Sequence, residues 1–129
     1  MPSRRFGSFP DSIPAARSYV TAELDSAPAG LCETAGLLVS ELATNAVRHA
    51  GGNEFVVEVQ TFPEEGRLWV GVTDTSSGLP VLRTPAVTAE SGRGMQLVSL
   101  LADRWGARRR RHADEKTVWF ELDFTPVAS

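Results

Sequence analysis

The sequence predicts an α/β two-layer sandwich, with helices on one face of a mixed, mostly antiparallel sheet. Three observations predict it. Apolar residues recur at helical spacing in three separate segments. Strand-like segments come in consecutive pairs joined by short turns, which favours antiparallel pairing over long crossovers. And 129 residues, 42% hydrophobic and 22% charged, are ordinary for a single folded domain spanning 1–129 with a real core.

The elements follow in order. Residues 1–11 are expected to be a flexible N-terminus or an edge strand. In "SIPAARSYVTAELDSA", Ser12 is a candidate cap and Pro14 suits a first turn. Ile13, Ala16, Tyr19 with Val20, and Leu24 then form a helical stripe. A second helix runs from about Ala29 to Ala50 and is stopped by Gly51-Gly52. "FVVEVQTF" and "RLWVGVTD" alternate like strands around the turn residues "PEEG". A polar stretch bearing Pro and Gly follows, from Thr75 to Glu90. "GRGMQLVSLLADRWG" reads as a third helix, with Met95, Val98 (beside Leu97) and Leu101 in step. "WGARRRR" and "KTVWFELDF" read as two more strands around "HADE".

The bulk numbers exclude several function classes. A net charge of −3 gives no general reason to expect nucleic-acid or membrane binding. The single Cys32 rules out an internal disulfide and suggests a reducing compartment. No apolar run approaches the roughly 20 residues of a membrane span. "MPSRRFGSFPDSIP" has two arginines but no apolar stretch behind them, unlike a signal peptide. A cytoplasmic location is the expectation. Arg108–Arg111 reads as a solvated edge or protein-docking surface, since alternation puts every second arginine in solvent. Trp69, Trp105 and Trp119 lack the interleaved basic residues of a nucleic-acid stacking platform and read as core or interface.

The second helix carries the first chemical signal. At 100° per residue, Leu31, Ala35, Leu38, Leu42 and Ala46 form one apolar arc. Glu41, Asn45 and His49 lie along its edge and drift into it. A lone glutamate there is usually just a solvated polar stripe. An unpaired carboxylate turned inward, however, costs several kcal/mol and needs a partner or a cavity.

Two further signals sharpen this. In "RLWVGVTD" the core-facing parity is Leu68, Val70, Val72, and the next residue of that parity is Asp74. "DTSSG" is also good turn material, but a carboxylate ending a core-facing row is well placed to accept from a purine amino group. In "SGRGMQLV", Gly92 and Gly94 open a helix, where a phosphate can approach backbone N–H groups and the positive dipole end. Neither a Walker nor a Rossmann pattern is present.

These three pieces, in this order, resemble the GHKL ATPases, the superfamily that includes gyrase and the histidine-kinase ATPase domains. "ELATNAVRHA" looks like the N box, "DTSSGLP" the G1 box and "SGRGMQLV" the G2 box. The similarity is strongest to the stand-alone anti-sigma-factor serine kinases and related actinobacterial ATP-binding regulators. The resemblance implies the Bergerat ATP-binding fold and Mg²⁺–ATP as cofactor. It implies Glu41 as general base, Asn45 as the Mg²⁺ ligand, and His49 lining the nucleotide pocket. Asp74 would accept from the adenine amino group, with Gly78 letting the backbone approach the base. Gly92, Arg93 and Gly94 would cradle the phosphates, and residues 75–90 would form the lid.

Departures from the pattern bear on function. The glycine expected two after the aspartate is Ser76. The last strand of the family often turns a threonine hydroxyl toward the adenine-binding acid. Thr117 has the wrong parity for this, and Lys116 is the residue in register. The sequence shows no long helix pair bearing a phospho-accepting histidine ahead of these motifs, so a sensor histidine kinase is not the expectation. The expected function is an anti-sigma factor with serine/threonine kinase activity toward an anti-sigma-factor antagonist. Its expected partners are that antagonist and a sigma factor, with a homodimer also in view and neither nucleic acid nor membrane bound directly. The alternative is a catalytically weak, nucleotide-gated protein-binding regulator. Glu41 favours the first and Ser76 the second.

Overall fold

The computed structural model describes residues 2–25, 27–49, 54–74, 95–110 and 115–125. The chain runs β1 (Ser3–Gly7), α1 (Ser12–Glu23), α2 (Ala29–His49), β2 (Glu54–Phe62) and β3 (Arg67–Asp74). A third helix, α3, covers residues 95–101 of the described chain. β4 (Arg104–Arg110) and β5 (Glu115–Asp123) complete it. The strands form one sheet in the order β1-β2-β3-β5-β4, and every neighbouring pair is antiparallel. No parallel pair occurs among the described residues, so the mixed sheet expected from the sequence is antiparallel throughout this part.

The β2–β3 hairpin turns where the sequence requires it. Gly66 takes a positive φ of 64°, a conformation that a side chain disfavours. Its carbonyl accepts from Phe124 N–H at 2.8 Å, which ties the turn to the end of β5.

Burial then follows parity. Phe55, Val57 and Val59 of β2, Leu68, Val70 and Val72 of β3, and Phe120 and Leu122 of β5 are buried on one face. Above them lies the expected α2 arc, Leu31, Ala35, Leu38, Leu42 and Ala46, all buried. Each large side chain so buried contributes about 1.5–3 kcal/mol relative to exposure. α2 packs across β3, β5 and β2, and α1 packs on α2. Gly36 permits that close approach, because a Cβ there would stand 3.3 Å from the side chains of Arg17 and Thr21. Arg17 Nε then donates to Ser40 Oγ at 2.9 Å, one residue before Glu41.

Several expectations need correction. Ser12 is the first helical residue rather than the cap; Asp11 holds the cap position without a side-chain cap bond. The third helix stops short of Gly106, because Asp103 N–H donates to Glu121 O at 2.9 Å. Asp103 also accepts from Asp123 N–H at 2.6 Å. The chain therefore enters the sheet ladder at β4 while the local pattern still reads as helix. Leu101, in step with Val98 by sequence, is 44% exposed, as is Trp105 at 42%. Arg108 and Arg109 are both exposed, since β4 is an edge strand. Trp69 and Trp119 lie outside the core on the other face of the sheet, their rings over Gly71 and Gly106.

Candidate functional site

The site expected from the sequence lies at the end of the sandwich where β3 finishes and the C-terminal half of α2 crosses above. Asp74 closes the inner row of β3 and is half-buried. Its register partners are Phe55 on β2 and Lys116 on β5. Thr117 points the other way: its hydroxyl lies 2.8 Å from that of Thr73 on the outer face. The parity argument that set Thr117 aside is thereby supported by the register.

Glu41 and Asn45 sit one turn apart on α2, both half-buried. The Glu41 carboxylate makes no hydrogen bond or ion pair to another described residue. Asn45 Nδ2 donates to Met95 Sδ at 3.8 Å, so the start of the described part of α3 meets this edge of α2. In the sequence Met95 directly follows Gly94. Sequence reasoning used Met95 only as a stripe residue. Its place immediately after the glycines was the available signal.

His49 is the last residue of α2. Gly78, Gly92, Arg93 and Gly94, with Ser76 and the 75–90 lid, lie outside the described residues, as does Arg111.

The residues present suit a magnesium nucleotide. Among the described residues no three His, Cys, Asp or Glu side chains come together as a metal cluster. A hard cation would then depend on Asn45 and on the oxygens of the nucleotide itself, the usual arrangement for Mg²⁺. The Asn45 amide nitrogen faces a thioether, which is a weak acceptor. Its oxygen, the hard donor, is the atom suited to the metal. Asp74 and Glu41 each add a half-buried carboxylate, a group that only accepts hydrogen bonds when ionised.

The comparisons with known proteins bear directly on this arrangement. Residues 6–122 match the histidine kinase-like ATPase domain. The chain belongs to that family, and so to the GHKL ATPases. It is 40% identical over 75 residues to an uncharacterised protein of Streptomyces coelicolor, covering 56% of this chain and 70% of that one. The fold is similar to the histidine kinase domain of the blue-light activated histidine kinase of Erythrobacter litoralis EL346, with a TM-score of 0.50 and 20% identity. That match covers 87% of this chain and 61% of the other, so the chain spans about three fifths of that structure's length. Family membership implies an ATP-binding domain of the kinase and ATPase type. Among the described residues no helix is long and apolar enough to cross a membrane.

Proposed function

We propose that this histidine kinase-like ATPase domain is an Mg²⁺–ATP-dependent serine/threonine kinase of the anti-sigma-factor type. It phosphorylates a small antagonist protein, and partner switching between that antagonist and a sigma factor regulates transcription. The observation that carries this reading is Glu41: a half-buried carboxylate without a partner among the described residues, one turn from Asn45. A module that only bound nucleotide would have no need of an acceptor there.

In this reading Asp74 accepts from the adenine amino group, and the amides of Gly92, Arg93 and Gly94 receive the phosphates. Asn45 holds Mg²⁺, which when bound neutralises phosphate charge. His49 lines the pocket beyond it, and Gly78 allows the base to approach the backbone. Glu41 accepts the proton of the serine hydroxyl and holds that oxygen in line, since phosphoryl transfer depends chiefly on positioning and electrostatics.

The competing reading, a nucleotide-gated binding module, is favoured by Ser76 where a glycine is usual. One comparison separates the two. Glu41→Gln should leave ATP binding near wild type and lower serine phosphorylation by roughly 100- to 10,000-fold, the usual contribution of a general base. Radiolabelled ATP transfer to candidate antagonists from the same genome, beside calorimetry of each variant, measures both. Wild-type protein that binds ATP but phosphorylates none of them sinks the kinase reading in favour of the gated module.

A further inference from the structure

We propose that Lys116, standing opposite Asp74 on the inner face of the sheet, is a second reader of the nucleobase, so that the site takes guanine as well as adenine nucleotides. The inference rests on the nucleotide-site reading above and widens its ligand class.

The register supports it. Phe55, Asp74, Lys116 and Arg109 stand opposite one another in turn across β2, β3, β5 and β4. This row closes the inner face with an aromatic, an acid and two cations. Directly opposed residues on one face hold their Cβ atoms about 5 Å apart. The lysine stem therefore starts beside the carboxylate that receives the base. The hydroxyl of Thr117 is occupied on the opposite face with Thr73, 2.8 Å away. The neighbour of Asp74 along β5 on the inner face is accordingly an ammonium.

That difference changes what the site can recognise. A carboxylate only accepts hydrogen bonds and an ammonium only donates them. At position 6 of a purine, adenine presents an amino donor and guanine a carbonyl acceptor. A lone carboxylate suits the first and repels the second. The Asp74–Lys116 pair offers a partner to each: the adenine amino group donates to Asp74, and guanine O6 accepts from Lys116. An ordinary surface lysine, paired only with carboxylates, would leave base preference untouched.

Calorimetry of the full chain with ATP and with GTP, each with Mg²⁺, tests this. The two affinities of the wild type should lie within roughly tenfold of each other. Lys116→Met keeps the stem and removes the donor. GTP should then weaken by roughly 10- to 100-fold, the loss of one charge-assisted hydrogen bond, while ATP changes by less than about threefold. Lys116→Arg keeps a donor and should retain GTP, which guards against a loss caused by misfolding. If the wild type binds ATP but not GTP, the proposal falls and the ATP site stands. If Lys116→Met weakens both equally, the lysine acts on the shared phosphates and the proposal falls. If the wild type binds neither, the nucleotide site itself is wrong and the proposal falls with it.

Discussion

The two faces of β3 are made from alternate residues of one eight-residue strand, and their polar groups are treated in opposite ways. On the outer face, which no described helix covers, several polar groups find partners in the sheet or its turns, although Arg67 Nε makes no hydrogen bond. Thr73 pairs with Thr117 at 2.8 Å. Arg67 lies over the Phe62 ring at 4.4 Å and forms an ion pair with Glu65 at 3.0 Å. Farther along that face, Arg104 binds Glu121 and Asp123, and those bonds, Asp123 foremost, hold its guanidinium above the ordinary arginine range. On the inner face, Leu68, Val70 and Val72 are sealed under α2 and the row ends in an acid. There Glu41 stands half-buried without a partner among the described residues. The outer face thus engages most of its charged groups with one another, whereas the inner edge keeps a carboxylate that no described side chain engages.

The comparison can be broken most severely from below. Leu68→Ala, at the fully buried start of the inner row, should cost about 2–5 kcal/mol of unfolding free energy. Urea denaturation measures it, and a loss under about 1 kcal/mol would mean that the inner row is not packed as described. Asp74→Asn tests the other end of the same row. ATP affinity should fall by roughly 10- to 100-fold, because a charge-assisted hydrogen bond is lost. Thermal stability should fall by less than for Leu68→Ala, so that the row's end proves chiefly functional where its start is structural.

Smaller effects sharpen the outer face. A Cβ at Gly71 would collide with the Trp69 ring, so Gly71→Ala should destabilise by about 1–3 kcal/mol as the indole is displaced. In a Trp69→Ala background the same change should be close to neutral; an undiminished penalty there would show that the backbone, and not the ring, is the obstacle. Smallest of all, Thr117→Val should cost about 0.5–1.5 kcal/mol through the lost hydroxyl pair. It should leave ATP binding unchanged, and weakened binding would return Thr117 to the nucleotide side.

How much of this was legible beforehand differs by element. The α2 arc was legible because one amphipathic helix reports its own buried side through its period. β2, β3 and β5 were legible from alternation, and that parity also placed Asp74 on the inner row and Thr117 on the outer. The end of the third helix was not. "LLADRW" continues a helical pattern, and the ladder bonds from Asp103 to Glu121 and Asp123, 18 and 20 residues away, cut it short. The tryptophans were legible only as core or interface. The structure puts the Trp69 and Trp119 rings outside the core, along the sheet face over Gly71 and Gly106.

By itself, then, the sequence determined which residue types stand at which parity: an acid and an amide on the edge of one helix, another acid closing a buried row. Local periods encode that, because each depends only on the backbone repeat of its own segment. Tertiary structure alone decided what stands beside what. The strand order β1-β2-β3-β5-β4 sets Lys116 against Asp74, and the packing of α3 brings Met95 to Asn45. Such neighbours are separated by 42 and 50 residues, and no local repeat reaches that far. Only the burial of a shared core brings them together.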